Sequence, residues 1–203
     1  GARVIHSKTF LPAMENKIPI IIRNTFSTDT LGTKITSDVK SKDTVKGISV
    51  IDDVALINIE GTGLIGVPGT ADRLFSSLKQ AEISVILISQ ASSEHSICIA
   101  IPQDSAKQAK EVISEAFSEE LGEGLVQNID ITSNQSILAV IGDNMAGSPG
   151  IAANFFGMLG AAKINVRAIA QGSSERNISA VINSSDSVKA LRSVHSGFFQ
   201  QEK

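Results

Sequence analysis

Apolar and polar residues change their spacing in a set order along this chain, and the order is run through twice. Residues 54–59 form a short apolar run, as a buried strand does, and a glycine-rich turn follows them. Between 70 and 80, apolar side chains recur at Ala71, Leu74, Phe75 and Leu78, the i, i+3, i+4, i+7 spacing of one helix face. Residues 84–89 predict a second strand, 90–95 a polar turn, and the alternating Ile97, Ile99 and Ile101 a third strand. A second helix is predicted over 106–121, with Ala109, Val112, Ile113, Ala116 and Phe117 on its apolar side. The same series then returns 81 residues later. It gives a strand at 137–141, a helix at 151–162 (Ile151, Phe155, Met158, Leu159, Ala162) and a strand at 165–170. A turn at 171–176, alternation at Ile178, Ala180 and Ile182, and a helix at 188–199 complete it.

Residue identities repeat as well as spacing. Gly66-Val67-Pro68-Gly69 answers to Gly147-Ser148-Pro149-Gly150, and Gln90-Ala91-Ser92-Ser93-Glu94 to Gln171-Gly172-Ser173-Ser174-Glu175, with no gap. Pro68 and Pro149 stand just ahead of the helices, where a missing N–H does no harm. One more strand precedes each series, 46–51 and 127–132. Four strands and two helices per unit predict an α+β fold of two tandem ferredoxin-like βαββαβ units, each an antiparallel sheet with both helices on one face. Segment 127–132 is able to close either unit; if it closes the first, 46–51 must close the second. Ahead of the repeat, 7–15 predicts a helix, 18–23 a strand, 24–33 turns, and 36–44 a linker. The division expected is 1–35, 36–126 and 127–203, with a strand exchangeable between the last two.

Composition narrows the function. Of 203 residues, 42% are hydrophobic and 19% charged, enough apolar material for a core and too little charge for disorder. The net charge of −3 leaves no basic surplus for phosphate contacts, and Phe is the only aromatic, so nucleic acid is not an expected partner. A lone Cys98 excludes an internal disulfide, and His6, His95 and His195 lack ligand spacing, so no metal is expected. Apolar runs are far short of a bilayer span, and no signal peptide is visible. A reducing, cytoplasmic setting follows. The chain opens on Gly1 rather than Met, as a piece of a longer protein would.

Three motifs bear on chemistry. Gly61-Thr62-Gly63-Leu64-Ile65-Gly66 matches G-x-G-x-x-G between a strand and a helix, which by itself suggests a dinucleotide site. The counterpart 142–147 departs from the glycine pattern while keeping the layout, and the units are too small for a dinucleotide sheet. Loop amides backed by a helix N-terminus suit a small carboxylate, such as an amino acid presents. Gln90 and Gln171 each end a second strand, and their amides offer both donor and acceptor. Ser92, Ser93, Ser173 and Ser174 add hydroxyls beside them. Polar turns often satisfy themselves, but this one recurs in both copies while surface positions drift. Glu94 and Glu175 recur without a paired base, since Arg176 replaces His95. Cys98 reads as a small buried hydrophobe. No Ser-His-Asp set, P-loop or metal spacing is present, so no catalytic residues are expected.

These strings resemble a known family. Residues 59–69, 87–97 and 169–179 are similar to the tandem ACT domains of the aspartokinase regulatory region, most of all the bifunctional aspartokinase–homoserine dehydrogenase type. Gly1-Ala2-Arg3-Val4-Ile5-His6, Ile18-Pro19-Ile20, Asn24-Thr25-Phe26 and Gly32-Thr33 resemble the end of its kinase domain, although Ser7 replaces the usual Pro. The resemblance implies feedback regulation by an end-product amino acid, threonine for the bifunctional type and lysine for many monofunctional relatives. It implies that Gln90 and Gln171 sense the effector. Gly63, Leu64, Ile65, Gly66 and Val67 would give backbone donors to its carboxylate, as would Asn144, Met145, Ala146 and Gly147 in the second copy. It implies a homodimer through the ACT units, a kinase domain elsewhere in the parent chain, no cofactor and no kinase activity in this piece. A plant parent would place it in the plastid stroma. The rival readings are an ACT module that only dimerises and a nucleotide-binding domain built on 61–66.

Overall fold

The computed structural model describes residues 5–36, 43–62, 67–90 and 96–200. The chain divides into two compact units, Gly1–Asp43 and Thr44–Lys203. The smaller holds helix α1 (Ser7–Glu15) and a two-stranded antiparallel sheet of β1 (Ile20–Ile22) and β2 (Thr33–Ile35). The Arg23 guanidinium fastens the intervening loop by donating to the carbonyls of Thr28 and Thr30, at 2.6 and 2.9 Å.

In the larger unit the element order is β3 (Gly47–Glu60), α2 (Thr70–Gln80), β4 (Leu87–Gln90), β5 (Ser96–Pro102), α3 (Ala106–Ala116) and α4 (Ser118–Gly122). Then come β6 (Asn128–Ile141), α5 (Ile151–Ala161), β7 (Ala168–Gln171), β8 (Asn177–Asn183) and α6 (Ser187–Phe199). The six strands form one antiparallel sheet in the order β4-β5-β3-β6-β8-β7. The expected separate strands 46–51 and 54–59 are thus one 14-residue strand, as are 127–132 and 137–141. The polar breaks between them, Asp52-Asp53 and Ser133-Asn134, are bulges within continuous pairing. Register shifts fall between Ile51 and Val54 and between Val54 and Leu56. Asp53 and Asn134 both take φ of +57°, the left-handed conformation that Asp and Asn tolerate best.

The register settles which strand closes which repeat. The N-terminal half of β6 lies against the C-terminal half of β3, with Ile57 opposite Ile131 and Ile59 opposite Ile129. The N-terminal half of β3 lies against the C-terminal half of β6, with Ile48 opposite Val140. Each repeat therefore takes its fourth strand from the other's chain segment. Two helix-side cores result. One joins Ile57, Ile59, Leu74, Ile99, Ile113 and Phe117 to Val126 and Ile129. The other joins Leu138, Phe155, Leu159, Ala180 and Val194 to Val45, Ile48 and Val50. The first is also stapled from outside: Arg73 pairs with Glu120 while its guanidinium stacks 4.3 Å from the Phe117 ring centre. On the opposite face of the sheet, Val54, Leu56, Leu87, Ala100, Ile137, Ala168 and Val181 form a third core. Cys98 packs there half-buried, and burial pushes its thiol pKa up.

The strand exchange explains the first glycine of the 61–66 motif. Strands β3 and β6 are each entered by a segment that passes over the end of the other. A Cβ on Gly61 would overlap the carbonyl oxygen of Leu125 and stand 2.6 Å from Val126 Cα. A Cβ on Gly142 would overlap the carbonyl oxygen of Thr44 and stand 3.1 Å from Val45 Cα. The obstacles are backbone atoms and do not swing aside. Gly142→Ala is expected to lower stability by about 1–3 kcal/mol, the usual cost of overpacking. Gly157→Ala, inside α5 with nothing within 4 Å of the new methyl, is expected to raise it by roughly 0.5–1 kcal/mol. Urea unfolding of the two variants checks the contrast; equal midpoints would show that the crossing segment yields.

Candidate functional site

Strands β4 and β7 are the edges of the sheet, and they carry the same burial pattern along their four residues: buried, exposed, half-buried, exposed. Pairing puts Gln90 opposite Ile97 and Gln171 opposite Ile178, so each glutamine is the last residue held by the ladder. The sheet curls until these two edges approach, a consequence of strand twist accumulating over six strands. Ser89 Oγ donates to the carbonyl of Ile169 at 2.9 Å and bridges them.

Between the edges, on the helix-free face, lies a cavity of about 740 Å³, within the size range of small-molecule clefts, roughly 300–1,000 Å³. Gln90, Gln171 and Ser174 all line it. Ser49, Ser89, Asn177 and Ser179 add further hydrogen-bonding groups, and Ile51, Ile86, Ile88, Ile141 and Ile169 supply an apolar, partly exposed rim. None of the described lining residues is ionisable.

The other expected residues are placed differently. Gly63, Leu64, Ile65, Gly66, Ser92 and Ser93 lie outside the described residues. Val67 is exposed, and its carbonyl accepts from Thr70 Oγ1 at 3.0 Å. In the second copy, 143–145 form a 3-10 turn ahead of α5. Met145 is buried in the second core, and its N–H closes that turn onto the Gly142 carbonyl at 3.4 Å. The Asn144 carbonyl accepts from Ser148 Oγ at 2.7 Å. Ala146 and Ser173 are exposed, and none of Val67, Asn144, Met145, Ala146, Gly147 and Ser173 lines the cavity that holds the glutamines. Gly147, with φ of +70°, donates its N–H to Glu175 Oε2 at 2.6 Å.

A set of charges holds this loop from its far side. Lys46 Nζ stands 2.5 Å from Asp143 Oδ2, and Arg176 Nε 3.9 Å from Asp143 Oδ1. The Lys46 hydrogen bond and charge hold the Asp143 carboxyl below its usual pKa. The Gly142 N–H also bonds to the Arg176 carbonyl, at 3.0 Å. The first copy has Gln127 and Thr62 in place of Lys46 and Asp143, and a recess of about 170 Å³ opens there. The two copies are thus unequal at their loops. Sequence reasoning missed the Lys46–Asp143 pair because its members are 97 residues apart and neither recurs in the repeat. It missed Ser49 and Asn177 because the curl of the sheet, which no local pattern encodes, brings them to the cavity.

Among the described residues, no group of three or more His, Cys, Asp or Glu is arranged to hold a metal, and no helix is long and apolar enough to cross a membrane.

Comparison with known proteins places these features. The family described as ACT domain matches at 57–117 and again at 138–198, together more than half of the chain. The chain is 47% identical over 205 residues to the bifunctional aspartokinase/homoserine dehydrogenase 1, chloroplastic, of Arabidopsis thaliana, covering 98% of this chain and 22% of that one. The chain thus spans less than a quarter of that relative's length. The crystal structure of Clostridium acetobutylicum aspartate kinase superposes with a TM-score of 0.85 at 28% identity, over 98% of this chain and 45% of that chain. The regulatory subunit of aspartate kinase from Thermus thermophilus superposes with a TM-score of 0.63 at 25% identity, over 77% of this chain and 99% of that chain.

Proposed function

This chain belongs to the ACT domain family, and on that premise we propose that it is the regulatory region of an aspartokinase, of the bifunctional aspartokinase–homoserine dehydrogenase type. It binds an end-product amino acid, threonine, and passes feedback inhibition to a kinase domain. The observation that carries this reading is the cavity shared by Gln90 and Gln171, the same residue from each repeat, at the meeting of the two sheet edges. Support comes also from the Thermus thermophilus structure, named a regulatory subunit, 99% of which is covered. The Clostridium acetobutylicum relative is named an allosteric enzyme.

The effector is assigned on the character of the cavity. Its described lining offers amides, hydroxyls and isoleucine methyls and no ionisable group. A threonine side chain, one hydroxyl and one methyl, finds partners for both. A lysine side chain would bring an ammonium group that meets no opposing charge among the described lining residues, and an unpaired desolvated charge is costly. By the same reading the loop 144–147 takes the effector carboxylate in the second copy, and 63–67 in the first. Feedback then works through differential affinity: the effector favours the arrangement of the ACT pair that suits an inactive kinase, with a coupling of about 1–3 kcal/mol. The chain itself carries no kinase activity and needs no cofactor. It pairs with a second copy through its ACT units, which would cover the isoleucine rim. The setting is the cytoplasm or, for a plant parent, the plastid stroma; the Arabidopsis relative is chloroplastic by name.

Calorimetric titration of the chain with threonine, lysine and NADP tests the reading. Heat from threonine alone is expected. Heat from lysine alone would move the parent to a lysine-sensing monofunctional enzyme. Silence from both amino acids would leave a module that only dimerises, and heat from NADP would revive the nucleotide reading of 61–66.

A further inference from the structure

We infer that Glu175 is a built-in competitor of the effector: its carboxylate occupies the loop amide that the effector carboxylate must reach in the second copy. The inference rests on the functional reading above and adds to it a residue that sets affinity. Glu175 Oε2 accepts the Gly147 N–H at 2.6 Å. That is the contact an amino-acid carboxylate would make with the same loop, made by an internal group of the same chemistry and charge.

Three features give the contact its strength and its reach. Gly147 holds φ at +70°, a Cβ there would meet nothing within 4 Å, and its N–H bond to Glu175 is exposed. Glu175 is itself left-handed, with φ of +54°, in a turn closed by its N–H onto the Gly172 carbonyl at 3.0 Å. That turn runs on from Gln171, and its residues Gly172 and Ser174 line the cavity, so Glu175 stands on the segment joining the glutamine to the loop. The neighbouring cation does not neutralise Glu175: Arg176 turns toward Asp143, which Lys46 already pairs. An arriving carboxylate therefore meets a bonded amide and a like charge together. A hydrogen bond to an ionised acceptor is about twice as strong as one to a neutral acceptor, so threonine has to displace a good bond before it can make its own. The first-copy counterparts, Gly66 and Glu94, lie outside the described residues.

Glu175→Gln separates these effects. It keeps size and hydrogen-bonding capacity, removes the charge and weakens the bond to Gly147. Glu175 is exposed, so the fold should tolerate the change. The variant is expected to bind threonine about fivefold more tightly by calorimetry, the difference between a charged and a neutral acceptor. Unchanged or weaker threonine binding would overturn the inference, since Glu175 would then be a bystander or a contact of the effector. A second readout needs no effector: the Gly147 amide proton resonance, observed by nuclear magnetic resonance, should move upfield in the variant. If it does not move, the contact is absent and the inference falls even where affinity changes. If the wild-type chain gives no heat with any amino acid while the resonance moves, the contact is real but the functional reading has failed. The competitor role then falls with that reading, and the two failures are told apart.

Discussion

A chain cut between Gly124 and Leu125 is expected to give two pieces, neither of which folds alone. The cut respects the repeat and falls in a turn, where Gly124 takes φ of +72°. It nevertheless parts each core from a strand it needs. The first piece loses Val126, Ile129 and Ile131 from the core under α2 and α3. The second loses Val45, Ile48 and Val50 from the core under α5 and α6. Fully burying one such side chain contributes about 1.5–3 kcal/mol; with Ile131, Ile48 and Val50 only partly buried, each piece forgoes roughly 3–7 kcal/mol. That is comparable to the whole stability of a small domain, about 5–15 kcal/mol. Each piece also exposes a central strand as a new, unprotected edge. Far-UV circular dichroism and amide dispersion should show both pieces unfolded apart and restored on mixing, while uncut 44–203 melts in a single transition. A cooperative melt of 44–124 by itself would mean that the exchanged strand is decoration rather than core.

That dependence was only half legible in the sequence. The 81-residue recurrence and the helix faces were plain, because both are local patterns; α2 runs over Thr70–Gln80 as its periodicity predicts. The strand count was not. Asp52-Asp53 and Ser133-Asn134 look like strand ends because polar pairs usually are, yet they are bulges that the ladder passes through. The long helix predicted over 106–121 divides at Phe117, whose φ of −113° and ψ of +25° leave the helical region while its ring is buried. The second strand starts at Leu87 instead of 84, because Ile83 turns into the first core before the ladder begins. The choice between the two ways of closing the units was open, since 46–51 and 127–132 carry equivalent patterns; only the pairing register decides it.

The candidate site divides along the same line. Recurrence within one chain picked out Gln90 and Gln171, and it does so because two copies under one demand drift everywhere else. That both glutamines face a single cavity depends on the curl that brings β4 to β7. Curl is a property of six accumulated strand twists and has no residue signature. The glycine motif is ambiguous for a related reason. Gly61 is needed where a crossing segment passes, and a tight backbone approach looks the same in sequence whether the neighbour is a phosphate or a carbonyl.

Replacing either glutamine by alanine is expected to weaken threonine binding by about 10- to 100-fold, the worth of one hydrogen bond to a charged group of the ligand. The size of the effect follows from the cavity: with no ionisable group in its described lining, the amides of Gln90 and Gln171, with that of Asn177, are its largest polar groups. Calorimetry on the single variants also counts sites. If both glutamines hold one effector molecule between the edges, Gln90→Ala and Gln171→Ala each weaken the whole titration, and the double variant costs less than the two losses added. If each glutamine serves its own molecule, each single variant halves the stoichiometry and leaves the other site at its original affinity. In the full-length enzyme, the threonine concentration giving half-inhibition should rise by the factor that binding loses. On the proposed reading the glutamines serve the effector alone and linkage moves only the regulated equilibrium, so the rate without threonine should stay unchanged. Variants that bind and respond to threonine as the parent does would remove both glutamines from the effector site, and with them the observation on which the sensing role rests.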